Sequence, residues 1–134
     1  MAVKVVDASA LAALLFGEPE AETVASLLSN ARLVAPGLLA FELASVCLTK
    51  ARRYPEQQPA LMAAFRLRGR LRVEEVAVDH DSTVELAAAT GLTAYDASYL
   101  WLSRQLWAEL VTLDRQLDPL KPYARGYFLQ NVGW

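Results

Sequence analysis

Val3-Lys4-Val5-Val6-Asp7-Ala8-Ser9-Ala10-Leu11 is the stretch on which the fold class turns. The valine-rich run Val3 to Val6 reads as a short strand, and the chain passes through one acid into an Ala/Leu segment of helical period. Leu110-Val111-Thr112-Leu113-Asp114 repeats the pattern near the other end, an apolar strand-like run that closes on an aspartate. In open α/β sheets ligands bind beyond the carboxyl ends of the strands, so Asp7 and Asp114 both fall where a site would lie.

The sequence between these two runs alternates in the same way. Residues 20–29 read as an amphipathic helix with Val24, Leu27 and Leu28 on one face, and residues 33–35 as a short strand closed by Pro36-Gly37. Residues 38–53 form a long helical stretch that ends in Lys50, Arg52 and Arg53, as a helix C-terminus prefers. Pro55 and Pro59 bracket the start of a further helix that runs to Leu67. Residues 73–78 read as a strand, 81–89 as a helix stopped by Gly91, 95–107 as another helix, and 127–132 as a last strand. Alternating helices and short strands predict one α/β domain over residues 1–134, with a parallel sheet covered on both faces.

With 134 residues, 54 % hydrophobic and 21 % charged, the chain has the composition of a globular protein, and a chain of this size buries roughly two thirds of its unfolded surface. Ala and Leu, 23 of each, lean it toward helix. One cysteine, Cys47, excludes an internal disulfide framework, and one histidine, His80, leaves no Cys/His zinc cluster, so a reducing cytoplasm is the expected compartment. No apolar run reaches the length of a membrane span. Residues 8–16 are broken by Ser9 and read as part of the fold rather than a leader.

Four carboxylates have unusual neighbours. Asp7 and Asp114 end strands. Glu42, within residues 38–53, has Leu38, Leu39, Ser45 and Val46 three and four residues away, and Asp96 has Leu92, Thr93, Tyr99 and Leu100, so neither finds a cation along its helix. Asp7, Asp96 and Asp114 can also be read as helix or turn caps, whereas Glu42 reads as a mid-helix acid that cannot cap. Should the four converge, like charges about 4 Å apart repel by about 4 kcal/mol per pair at an effective dielectric near 20, and the cluster takes up protons or recruits a cation. Oxygen ligands without His or Cys select Mg²⁺ or Mn²⁺, whose usual work is on phosphate esters.

Four segments together resemble a PIN domain, and most closely its VapC-like toxins: residues 5–11, Leu39-Ala40-Phe41-Glu42-Leu43-Ala44, Leu92-Thr93-Ala94-Tyr95-Asp96-Ala97-Ser98-Tyr99-Leu100, and Leu110-Val111-Thr112-Leu113-Asp114-Arg115. The resemblance covers nearly the whole chain. It implies a three-layer α/β/α fold with a short, mainly parallel central sheet, and a Mg²⁺- or Mn²⁺-dependent endoribonuclease acting on RNA. It further implies a homodimer held inactive by an antitoxin protein, with no membrane association. By the same resemblance Asp7, Glu42, Asp96 and Asp114 are the catalytic, metal-binding acids, while Ser9 and Thr112 are supporting polar groups. Asp118 would be a further acid or a turn before Pro119, and residues 130–134 match no motif of the family.

The formal charge of −2 conceals a strong asymmetry. Residues 50–72 hold seven Lys and Arg against Glu56 alone, a net +6, which leaves −8 for the remainder. A basic segment beside an acidic site suits a nuclease, and Arg52, Arg53, Arg66, Arg68 and Arg70 are the candidate phosphate contacts; the other reading is a solvated helical face. Tyr95, Tyr99, Trp101 and Trp107 read as core or dimer contacts rather than base-stacking platforms, Cys47 as a buried small residue, and His80 as part of an exposed turn. A haloacid-dehalogenase-type phosphatase needs a second Asp where Ser9 stands, and a dinucleotide fold needs a Gly-rich loop that is absent. The remaining alternative is a non-catalytic PIN-like module that binds RNA or a partner protein.

Overall fold

The computed structural model of the protein describes residues 1–117; the expected strand at 127–132, Asp118 and residues 130–134 lie outside the described residues. Four parallel strands form one sheet in the order β3-β2-β1-β4. They are β1 (Ala2–Val6), β2 (Ala31–Ala35), β3 (Glu74–Glu75) and β4 (Glu109–Val111). β1 pairs Val5 with Val34 on one side and with Leu110 on the other. The chain steps outward from β1 to β3 and then returns to the far side of β1, so the strand order reverses between β1 and β4. That reversal opens a crevice at the carboxyl ends of these two strands; Asp7 follows β1 directly, whereas β4 stops at Val111 instead of the expected Leu113 and Asp114 comes three residues later.

Six α-helices cover the sheet: α1 (Ala8–Leu15), α2 (Ala21–Leu28), α3 (Leu39–Arg53), α4 (Gln58–Arg66), α5 (His80–Thr90) and α6 (Ala94–Leu106). α1 packs on α2 and α3, and α3 on α4; α5 and α6 pack on each other, with α6 against β1 and β4. Parallel connections are right-handed as a rule, and with the strand order β3-β2-β1-β4 that rule puts α1 to α4 on one face and α5 and α6 on the other, the expected three layers. Val5, Val6, Leu11, Val24, Leu100, Leu102 and Leu110 form the fully buried centre.

The differences from the sequence reading are local. The expected strand at 73–78 pairs over Glu74–Glu75 only, with Val76 N–H donating once more to Ala35 (2.9 Å). Val73, Val76 and Val78 are partly buried against the core, so their spacing reports packing rather than ladder pairing. The helix expected to run to Leu67 ends at Arg66, and a 3₁₀ turn covers Leu67–Leu71. His80 opens α5 instead of sitting in a turn, behind Asp79, whose side chain caps the helix at Ser82 N–H (2.9 Å). Gly91 stops the same helix at φ +76°, a conformation that costs glycine least.

Candidate active site

Asp7 is the N-cap of α1 and is almost fully buried, 4 % exposed. Its Oδ1 accepts from Ala10 N–H (3.1 Å) and from the Ser9 hydroxyl (2.7 Å), and its Oδ2 accepts from the Thr112 hydroxyl. The two hydroxyls also receive backbone donors from the β4 side: Leu113 N–H reaches Ser9 Oγ and Asp114 N–H reaches Thr112 Oγ1, each at 2.9 Å. Ser9 and Thr112 therefore tie the loop after β1 to the loop after β4. Asp114 Oδ1 accepts in turn from Gln116 N–H (2.8 Å), an Asx turn that fixes its side chain.

Glu42 and Asp96 enter from the helices. The position of Glu42 corrects the sequence reading: it lies in the first turn of α3, not in mid-helix, where the helix macrodipole favours a carboxylate. Its Oε1 accepts from the Tyr99 hydroxyl (2.6 Å). Asp96 stands in the first turn of α6, and its N–H is capped by Thr93 Oγ1 (3.1 Å). The cap readings of Asp7 and of the Thr93–Asp96 pair are thus correct locally, and they do not compete with a shared site. A cap sits at the start of a helix, and here those starts meet at one end of the sheet.

The acids share one electrostatic field. Burial pushes the Asp7 carboxyl above its ordinary value; hydrogen bonds from Thr112, Ser9 and Ala10 pull the other way, and the charge of Asp114 adds to the rise. Burial likewise raises Glu42, opposed by the Tyr99 hydroxyl and reinforced by Asp96 and Asp7. Asp96 is raised by burial, by the charges of Asp114 and Asp7, and by a hydrogen bond with the Asp114 carboxyl. No Lys, Arg or His of the described residues is among the groups that lower any of the three.

A set of hard oxygen donors without a protein cation has the chemistry of a Mg²⁺ or Mn²⁺ site. Asp7, Glu42 and Asp114 accept hydrogen bonds from protein donors, and among the described residues no group of three or more His, Cys, Asp or Glu is arranged to hold a metal ion.

Tyr99 is the site residue that sequence reasoning missed. It is a core residue as expected, 1 % exposed, and its hydroxyl still reaches Glu42. Burial, the hydrogen bond and the surrounding acids push its phenol far up, so it remains an O–H donor. The available signal was its spacing, three residues after Asp96 and hence on the same face of α6.

The basic segment divides. A groove of about 590 Å³ starts at Ala8 and Glu42 and runs along α3 past Thr49 to Lys50, Arg53 and Tyr54, with Glu18 on its wall. Of the five candidate arginines only Arg53 lines it. Arg68 stacks over Phe65 (4.1 Å to the ring centroid) and donates to the Phe65 carbonyl (3.1 Å), and Arg70 borders a separate hollow with Arg32 and Glu74. Arg52 and Arg66 are exposed and line none of these grooves.

Comparison with known proteins agrees with this architecture. The family model of the PIN domain matches residues 4–121. The chain is 36 % identical over 118 residues to Ribonuclease VapC3 of Pyrobaculum aerophilum, covering 84 % of this chain and 90 % of that protein. Among solved structures it is similar to the crystal structure of PAE2754 from Pyrobaculum aerophilum, with a TM-score of 0.72 and 25 % identity over 92 % of this chain and 87 % of the other.

Proposed function

The chain belongs to the PIN-domain family, and from that premise we propose that it is a metal-dependent endoribonuclease, the toxin of a toxin–antitoxin pair. The observation that carries the reading is the approach of Asp7, Glu42, Asp96 and Asp114 at the switch point of the sheet, where burial and the neighbouring acids raise the proton affinity of Asp7, Glu42 and Asp96. These four residues would hold Mg²⁺ or Mn²⁺. When bound, such an ion neutralises phosphoryl charge and makes a water more acidic.

The chain itself supplies the rest. Ser9 and Thr112 fix both oxygens of Asp7, so this carboxylate does not reorganise when the substrate's charge arrives. Tyr99 holds one oxygen of Glu42 by a hydrogen bond from its hydroxyl. Glu42 and Asp96 complete the acid set from the helix side.

The further parts of the reading are an antitoxin protein that blocks this site, a homodimer, and a cytoplasmic setting; no helix of the described residues is long and apolar enough to cross a membrane. One observation favours the alternative, a non-catalytic PIN-like module: the acids are not arranged around a common point. Expressing the wild type and Asp7→Asn without a partner and mapping new 5′ ends in total RNA separates the two. Discrete cuts made by the wild type alone support the ribonuclease. Growth arrest without new ends supports the binding module.

A further inference from the structure

One stripe of α3 lines the groove from end to end: Glu42, Ser45, Val46, Thr49, Lys50 and Arg53 follow the three- and four-residue spacing of a single helix face. Its two ends differ in sign, and the helix itself favours the difference. Glu42 stands in the first turn and Lys50, Arg52 and Arg53 in the last, each where the macrodipole suits its charge. At 1.5 Å per residue, Lys50 and Arg53 lie about 12 and 16 Å along the axis from Glu42.

Lys50 is already oriented. Its Nζ pairs with Glu18 Oε1 at 2.8 Å and lies 5.9 Å from the centroid of the Phe16 ring. Arg53 stacks its guanidinium over the Tyr54 ring, 5.4 Å to the centroid, and Tyr54 stays 40 % exposed at the end of the groove.

We propose that this groove is the track along which single-stranded RNA leaves the acid site, with Lys50 and Arg53 taking backbone phosphates, Tyr54 offering a base its ring face, and Glu18 standing in for a phosphate on Lys50 until the strand arrives. The track rests on the ribonuclease reading, because it assumes that the scissile phosphate lies at the acids. A phosphate that displaces Glu18 exchanges one anion for another on a lysine that is already positioned. Both side chains of the pair are 29 % exposed, so solvent screens it and the exchange costs little. Ser45 and Thr49 put hydroxyls between the two charged ends, where phosphate or 2′-hydroxyl groups find partners. A flexible strand with bases on one side and phosphates on the other uses both the cations and the aromatic ring. An acidic protein segment would use only the cations.

The test measures binding of a labelled single-stranded RNA in EDTA, where no divalent ion supports cleavage, across a salt series. Lys50→Ala and Arg53→Ala should each weaken binding severalfold and reduce the slope of log K against log salt by about 0.7. Glu18→Gln should tighten binding. In Mg²⁺, the deficit of Arg53→Ala in cleavage should grow with substrate length, as longer strands reach the groove. Equal affinities and slopes in all variants overturn the track. So does polyglutamate that displaces the RNA as well as unlabelled RNA of equal charge does, since it would mark a docking site for an acidic protein segment. Binding that follows these variants without cleavage of any RNA counts against the ribonuclease reading and leaves the groove as an RNA-binding surface. Cleavage with the same length dependence in wild type and variants removes the track alone.

Discussion

Two of the four acids come from the sheet and two from the helices, and the two halves are held in different ways. Asp7 and Asp114 follow adjacent strands and share a lattice in which Ser9 and Thr112 join side-chain oxygens to backbone N–H groups of both loops. Glu42 and Asp96 stand on the first turns of α3 and α6, and one hydrogen bond, Tyr99 to Glu42, couples the two helices. The sheet half is over-determined, since each part of it is fixed by several bonds that themselves interlock. The helix half is held more lightly: Tyr99 holds the Glu42 carboxylate, and Thr93 caps the backbone N–H of Asp96 rather than its side chain. The sheet half fixes where charge must sit, and the helix half is where that charge can be adjusted.

Substitutions can break this contrast in order of effect. Asp7→Asn and Asp96→Asn should both bring RNA cleavage to background, because each half contributes an acid the chemistry needs; an assay in which either variant keeps wild-type activity removes that half from the site. Thr112→Val keeps the shape of the side chain and deletes the hydroxyl that serves Asp7 and Asp114 together. Its cleavage rate should fall by about 100-fold, the upper end for loss of an orienting partner. Tyr99→Phe deletes one hydroxyl that serves one acid, and the loss should be about 10-fold with the fold intact by thermal melting. Equal losses in Thr112→Val and Tyr99→Phe would show that the two halves are held alike.

The smallest effect is on stability. Asp7 and Asp96 have an ordinary carboxyl value of 3.8 and Glu42 of 4.5, and all three are raised in the folded chain. An acid that holds its proton more tightly folded than unfolded imposes no penalty below its unfolded value. The penalty grows as pH rises between the unfolded and folded values and is complete above the folded one. Each of the three therefore subtracts stability at neutral pH in the absence of a metal. Asn keeps the ability to cap a helix, so metal-free Asp7→Asn should melt a few degrees above the wild type at pH 7. The advantage should vanish as the pH approaches 3.8, the unfolded value for Asp7. A variant that melts below the wild type at pH 7 would contradict the burial penalty.

How much of this was legible in the sequence depended on what each signal reports. β1 and β4 were readable because a valine-rich or Leu-Val run that stops at an aspartate has few other uses in an α/β chain. The strand at 73–78 was overextended because alternation records which side chains pack, while pairing needs a neighbour's backbone, and β2 supplies only Val34 and Ala35. The start of the helix that carries Glu42 was read within one residue, at 38 against the observed Leu39, and Glu42 lies near that start on either reading, so the error was in treating it as mid-helix. The four acids were identifiable singly by their lack of cations, yet their meeting depended on strand order, which no local pattern carries. Tyr99 was taken as core and is core; the sequence does not say that a buried phenol also needs a partner, nor that the partner is Glu42. The arginines of 66–72 looked equivalent to Arg53 because net charge is blind to direction, and the 3₁₀ turn at Leu67–Leu71 carries Arg68 and Arg70 away from the groove.

That the sheet half and the helix half serve one cation is tested most directly by Mn²⁺ binding, read from the signal of free Mn²⁺ in titrations of wild type, Asp7→Asn and Glu42→Gln. One acid is removed from each half. If both variants lose most of the wild-type binding, the halves form a single site. If both bind Mn²⁺ as the wild type does, the four acids do not share an ion.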